Sequence, residues 1–277
     1  MIYADILKSI AANSVVDLTG THEVSGLLVC DCCNTPRQVV IDVCGETIKA
    51  PCLCSCQEAA KNQVQADEDT ARIEHERARV IHTDKNRGYT FNRDDGKTPD
   101  VTNKCKRYVD AFDDIRGQGL MFWGGVGTGK TYFAMCIANA LIDRGLSVRV
   151  TSLADVVRIA QDFDRAAERL DDLLRADLIV IDDFGTERGT SFAAEAIYNF
   201  VDTATTKNIP LIVTTNLTPS AIKAAADDTT NITYARVCSR ILERCYPIKV
   251  NQVQRREANR EANAAYMKGV IDGGSIV

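Results

Sequence analysis

Gly124-Gly125-Val126-Gly127-Thr128-Gly129-Lys130-Thr131 is the run on which the reading of this 277-residue chain turns. It fits the pattern G-x-x-x-x-G-K-[ST], and its surroundings suit that pattern. The apolar stretch Leu-Met-Phe-Trp at 120–123 reads as a strand entering the loop, and an amphipathic stretch at about 130–143, closed by Gly145, reads as a helix leaving it. Glycines let backbone N–H groups converge on phosphate oxygens at the positive end of the following helix. Lys130 is then placed to reach the β- and γ-phosphates, and Thr131 to hold Mg²⁺ through its hydroxyl. Tyr132 completes the expected nucleotide-binding run. A plain glycine-rich strand-to-helix turn explains the glycines but not the Lys-Thr pair that follows them.

Working outward, Leu-Ile-Val-Ile-Asp-Asp at 178–183 is an apolar strand that ends in two carboxylates. Such acids are costly unless solvated or paired with a cation. Asp182 is assigned to the Mg²⁺ shell and Asp183 to the attacking water. Val-Thr-Thr-Asn at 213–216 ends a third strand and offers Asn216 as a neutral hydrogen-bonding group beside the loop. Further strands are expected in Ser-Val-Arg-Val-Thr-Ser at 147–152 and Tyr-Pro-Ile-Lys-Val at 246–250, with helices at about 153–162, 166–175, 191–206 and from 219 and 233. Apolar strands alternating with helices predict an α/β fold with a parallel sheet covered on both faces. Arg236, Arg240 and Arg244 recur every fourth residue on one helix, either as a solvated basic face or as a source of an arginine for a neighbouring subunit's γ-phosphate.

Seven of the eleven cysteines fall between Cys30 and Cys56. With no secretion signal at the start of the chain, the cluster reads as metal-binding. Cys30-x2-Cys33 and Cys54-x-Cys56 form two knuckles suited to a structural Zn²⁺ ribbon with four thiolate ligands. Cys32 and Cys52 remain alternatives at the first and second knuckle. Cys44, Cys105, Cys136, Cys238 and Cys245 are read as small buried hydrophobes.

Composition agrees with folded domains. The chain is 45% hydrophobic and 26% charged, which excludes disorder as its main state, and no apolar run approaches the length of a membrane span. A cytoplasmic protein without membrane contact is expected. The net charge of −5 argues against a general DNA coat. Residues 1–60 hold three basic residues against seven acids, so the ribbon is expected to meet a protein partner rather than phosphate. The organisation expected is a partner-binding domain at 1–56 that opens with a short helix from Tyr3 to about Ala12, a helical linker at 57–85, a core at 86–250, and a C-terminal helix and tail at 251–277. The apolar stripe of the linker helix is thin (Val64, Ile73, Val80, Ile81), which suits a solvated spacer better than a core element.

The four segments GGVGTGKT, IDDFGTERGT, PLIVTTNLT and ARVCSRILE, in this order and spacing, resemble the AAA+ ATPases of the DnaC/DnaI replicative helicase-loader family. Transposition helper ATPases of the IstB type share this core. The resemblance covers about 86–250 and implies a compact AAA+ core without a substantial lid. It implies that Gly127, Gly129, Lys130 and Thr131 bind ATP and Mg²⁺, that Asp182 and Asp183 form the Walker B pair, and that Asn216 is sensor 1. Arg240 matches the arginine finger, acting in trans within an oligomer, with Arg236 a second candidate. Where many AAA+ proteins carry Asp-Glu, Asp183 is one methylene shorter, which implies slow hydrolysis. Ala204 stands where members of the family often carry an arginine. The resemblance places Thr190 and Phe192 at a surface for single-stranded DNA and puts the zinc ligands at Cys30, Cys33, Cys54 and Cys56. The function implied is ATP-dependent loading of a DnaB-type replicative helicase onto single-stranded DNA. The alternatives are a transposition helper and an adaptor that binds ATP without useful hydrolysis.

Overall fold

The computed structural model describes residues 18–271 except 44, 82, 116, 163, 186–189, 252–259, 261, 262, 265 and 269. The expected helix from Tyr3 to about Ala12 and Cys44 lie outside the described residues. The chain falls into two compact units, residues 1–72 and 73–277.

The first unit is built from two hairpins and the start of a long helix. Strands β1 (Thr21–Val24) and β2 (Leu27–Cys30) pair antiparallel, as do β3 (Gln38–Val43) and β4 (Glu46–Pro51). Ser25 and Gly26 join the first pair with φ of 52° and 81°. Two left-handed residues in succession match the right-handed twist of a hairpin. The sequence reading takes residues 1–26 as a helix and connector, so β1 corrects it. The Ser-Gly step between Thr-His-Glu-Val and Leu-Leu-Val is the signal that marks the turn. The long helix then begins at Ser55 and runs as Ser55–Val80.

The second unit is a five-stranded parallel sheet in the order β6-β7-β8-β5-β9. Its strands are β5 (Gly119–Trp123), β6 (Val148–Ser152), β7 (Leu178–Phe184), β8 (Leu211–Thr215) and β9 (Cys245–Lys249). Alternating side chains feed two separate cores. Leu120, Phe122, Leu178, Val180 and Ile212 pack with the helices Lys130–Asp143 and Pro99–Asp110. Met121, Ile179, Ile181, Leu211 and Val213 pack with Leu153–Ala160, Ser191–Thr206, Pro219–Ala226 and Ile232–Arg244. Cys105, Cys136, Cys238 and Cys245 are buried, as small apolar residues would be.

Two further elements differ from the sequence reading. The end of the long helix is not a solvated spacer: Val80 and Ile81 are buried in the first of these cores and Ile73 packs against it. Arg77 pairs with Asp143, while Glu76 accepts from Arg149 at 2.9 Å. A stripe that looks thin over the whole helix is concentrated in its last turns. The helix Pro99–Asp110 is likewise absent from the reading, although Pro99 at its start and Val101, Cys105 and Val109 at four-residue spacing would have marked it.

Gly119 starts β5 where the backbone of β8 crosses closely, and a Cβ there would lie 1.9 Å from the carbonyl oxygen of Leu211. Gly119→Ala must therefore push two central strands apart. We expect a loss of about 1–3 kcal/mol, read as a lowered midpoint in urea unfolding of the second unit.

Candidate functional site

Parallel strands bring their carboxyl ends to one edge, and the order of this sheet places the loops after β5, β7 and β8 side by side. After Trp123 the chain turns sharply, with φ of 151° at Gly124, 80° at Gly127 and 103° at Gly129. A Cβ on Gly124 would lie 2.5 Å from the carbonyl oxygen of Val250, so this position requires glycine on two counts. Thr128 closes the loop on itself by donating to the Gly125 carbonyl at 3.1 Å. The helix Lys130–Asp143 begins directly behind it.

Lys130 donates to the carbonyls of Gly124 (3.0 Å) and Gly125 (2.8 Å) and to Oδ1 of Asn216 (2.8 Å). The ammonium thus stands between the loop and the end of β8. Thr131 donates its hydroxyl to Oδ1 of Asp182 at 2.9 Å. The structure therefore brings Lys130, Thr131, Asp182 and Asn216 together, along with the loop from Gly124. Asp182 and Thr131 offer oxygens side by side, a donor set suited to a hard divalent cation.

Asp183 breaks the regularity of β7. Its φ is 59°, and the register between β7 and β8 shifts between Ile181 and Phe184. An extra residue in one strand re-aims the side chains on either side of it. Asp182 turns partly inward while Asp183 is exposed, and both line the same cavity. Thr214 stabilises the irregularity: its hydroxyl accepts the Asp183 N–H at 2.9 Å and donates to Asp182 at 2.6 Å. Sequence reasoning passed over Thr214, although a threonine inside the apolar run Leu-Ile-Val-Thr-Thr is the signal of a buried hydroxyl with work to do. Burial pushes the Asp182 carboxyl above the ordinary carboxylate range, with the hydroxyls of Thr214 and Thr131 opposing that shift.

The cavity has a volume of about 510 Å³ and extends beyond the phosphate loop. Its far end is lined by Asn86, Tyr89, Arg93 and Asp94, which precede the sheet in sequence, and by Tyr132. Asn139, buried on the loop's own helix, holds this segment by donating to the carbonyls of Asn86 (3.1 Å) and Tyr89 (2.9 Å). Tyr132 donates to the Thr90 carbonyl at 2.8 Å and meets the Tyr89 ring edge-on at 5.0 Å. An aromatic, hydrogen-bonding end opposite a phosphate-binding end is the shape that a nucleotide fills.

Other predicted residues stand apart from this cavity. Arg240 donates to Asp202 at 3.0 Å and to Glu243 at 3.3 Å, and Arg236 lies over the ring of Tyr198 at 5.7 Å. Ala204 is fully buried, so an arginine could not be accommodated there. Thr190 accepts the Ala193 N–H as the cap of the helix Ser191–Thr206. Phe192, 42% exposed, lines an apolar groove with Leu170 and Leu174.

In the first unit the sulfurs of Cys30, Cys33, Cys54 and Cys56 lie within 4.8 Å of one another. Cys32 is exposed, and Cys52 donates instead to the Pro36 carbonyl at 3.5 Å. The Cys30···Cys56 separation of 3.7 Å matches the edge of about 3.8 Å expected for a tetrahedron with 2.3 Å Zn–S bonds. The Thr35 hydroxyl draws the Cys33 thiol down to about 5, while the neighbouring sulfurs of Cys54 and Cys30 hold Cys56 well above the ordinary thiol range. Four sulfurs this close cannot all ionise without a cation among them. The donor set fits Zn²⁺.

Comparison with known proteins agrees with this geometry. The family of IstB-like ATP binding proteins matches residues 72–263. The replicative helicase loader DnaC of Escherichia coli is 32% identical over 119 residues, which is 41% of this chain and 48% of the relative. The replicative helicase loader DnaI of Bacillus subtilis is 26% identical over 165 residues, 56% of this chain and 52% of the relative. The chain thus spans about half the length of these relatives. A crystal structure of DnaI superposes with a TM-score of 0.52 at 22% identity, covering 64% of this chain and 95% of that one, a likeness of AAA+ fold. Among the described residues no helix is long and apolar enough to cross a membrane.

Because the folded protein holds the Asp182 proton more tightly than an unfolded chain would, ionising it costs stability. That stability falls as pH rises from the ordinary carboxylate range through the raised value, and the deficit persists above it. Asp182→Asn is expected to leave the nucleotide-free protein at least as heat-stable as the parent at neutral pH. The same variant should lose the upward shift in melting temperature that Mg²⁺ and ATP give the parent. Thermal denaturation with and without the ligand reads both effects.

Proposed function

Because the chain belongs to the IstB-like ATP-binding family, we propose that it is an ATP-dependent loader of a ring-shaped replicative DNA helicase. The observation that carries this reading is the coincidence, on one chain, of two features. One is a core shared with the helicase loaders of two distant bacteria, with Lys130, Thr131, Asp182 and Asn216 converging on one cavity. The other is a separate four-cysteine module ahead of that core.

In this reading the loop residues Gly124, Gly125, Val126, Gly127, Thr128 and Gly129 hold the phosphates through backbone N–H groups, and Tyr132 with Tyr89 flanks the base. Thr131 and Asp182 hold Mg²⁺, which neutralises charge on the β- and γ-phosphates. Lys130 exchanges its Asn216 contact for phosphate oxygens, which frees Asn216 to sense the γ-phosphate or the water. Asp183, exposed on the bulge, orients the attacking water. Its short side chain holds the carboxylate back by about one methylene, so turnover is slow and suits a switch. Arg240 serves the site of a neighbouring subunit after leaving Asp202. Thr190 and Phe192 contact single-stranded DNA, with Phe192 stacking on a base. The zinc module at 1–56, net acidic, grips the helicase. The family match is shared with a transposition helper, but the relatives reported above that bear a named role are helicase loaders, so neither this alternative nor a non-hydrolysing adaptor is favoured.

The experiment is size-exclusion with mass detection on this protein mixed with its own organism's replicative helicase, Mg²⁺ and ATP. A stable complex that is lost on deletion of residues 1–60 is expected. No complex with a helicase that is itself a competent ring would overturn the loader reading. A second measurement addresses the metal. The purified chain should carry about one equivalent of zinc, and Cys54→Ser should lose it together with helicase binding but keep ATP binding.

A further inference from the structure

Away from the nucleotide cavity, and sharing no residue with it, a second pocket of about 580 Å³ opens beside β6, the outer strand of the sheet. Six arginines line it against three acids, a surplus of cations that the net charge of −5 for the whole chain makes conspicuous. Arg149 is buried and already spoken for, by Asp172 at 3.1 Å and Glu76 at 2.9 Å. Arg79 is paired with Glu76 at 3.0 Å.

The remaining four arginines, Arg158, Arg165, Arg169 and Arg175, line the pocket from exposed positions. Arg158 pairs with Asp155 at 2.5 Å and Arg169 with Asp162 at 3.6 Å, in each case through an arginine side chain at least half exposed. Exposed ion pairs of this kind hold by at most about 1 kcal/mol, so a stronger acceptor can displace their acids. Arg165 and Arg175 make no ion pair among the described residues. Both side chains are exposed, and Arg175 feels Asp172 only through space. Arginine forks match the spacing of phosphate oxygens, and charge-assisted bonds to phosphate are about twice as strong as neutral ones.

We infer that this pocket is a second anion site that takes phosphate groups, separate from the P-loop. Arg165 and Arg175 make the direct contacts, Arg158 and Arg169 turn toward the ligand, and buried Arg149, held by Asp172 and Glu76, fixes the wall behind them. The phosphate could belong to a free polyphosphate or to the backbone of a nucleic acid, and the chemistry of the pocket is common to both.

The test uses the full chain with its P-loop filled by saturating ADP and Mg²⁺. Inorganic pyrophosphate is titrated by calorimetry, and a fluorescein-labelled oligothymidylate by anisotropy. The double variant Arg165→Glu/Arg175→Glu is expected to weaken pyrophosphate binding about tenfold or more. Glu168→Gln, which removes an exposed acid of the lining, is expected to tighten it. Lys223→Glu, an exposed change on the helix Pro219–Ala226, should alter it less than about twofold. Parallel loss of the oligonucleotide identifies the ligand as a phosphodiester chain, whereas loss of pyrophosphate alone identifies a free polyphosphate. Absence of pyrophosphate binding, or equal binding by the parent and the double variant, overturns the site. ADP is titrated separately on each variant, so a failure of the nucleotide reading appears there and not in the pyrophosphate result.

Discussion

A single half-buried carboxylate organises the nucleotide face. Asp182 accepts the hydroxyls of Thr131, from the phosphate loop's helix, and of Thr214, from the neighbouring strand. Those two contacts tie three loops into one geometry before any nucleotide arrives. They also explain the bulge, because Thr214 can serve Asp182 and the Asp183 N–H at once only where β7 departs from its register. The strained backbone at Asp183 is thus supported by a hydroxyl from outside its own strand. Burial that disfavours the charge of Asp182 is the same burial that strengthens its attraction for a divalent cation.

The second constraint lies behind the first. Asn139 and Tyr132 sit on the helix that leaves the phosphate loop, and both hold the carbonyls of the segment at 86–90. The two ends of the cavity are therefore fixed to one rigid helix, so a shift of that helix moves both together. This preorganisation lowers the ordering cost of binding.

The sheet and its phosphate loop were legible because their signals are local. The glycines, the Lys-Thr pair and the apolar strands each occupy a few consecutive residues. Knuckle spacing left Cys32 and Cys52 open as alternatives, since Cys52-x-Cys54 and Cys54-x-Cys56 are equally spaced, and it is the convergence of the Cys30, Cys33, Cys54 and Cys56 sulfurs that separates them. What escaped depends on contacts distant in sequence. Thr214 acts across 32 residues, and Asn139 across 53. The role of Asn139 has no local pattern, and the hydroxyl of Thr214 inside an apolar run marks burial without naming its partner. The strand β1 was missed for the opposite reason, since its four residues carry too little alternation to stand out from a connector. The last turns of Ser55–Val80 were misjudged because averaging an apolar stripe over a long helix dilutes an interface confined to one end.

The start of that helix carries a consequence of its own. The Ser55 N–H is accepted by the Thr35 hydroxyl at 3.1 Å, the Cys54 carbonyl accepts the Glu58 N–H at 2.9 Å, and Cys54 and Cys56 belong to the sulfur cluster. The first turn, the costly step of helix formation, is thereby made by the knuckle rather than by the helix. From Glu58 onward only propagation is needed, and a largely exposed stretch rich in Ala, Glu, Gln and Arg propagates well. Helicity in this stretch is therefore a property borrowed from the sulfur cluster. Loosening four cysteines would be felt as fraying along many residues that never touch them.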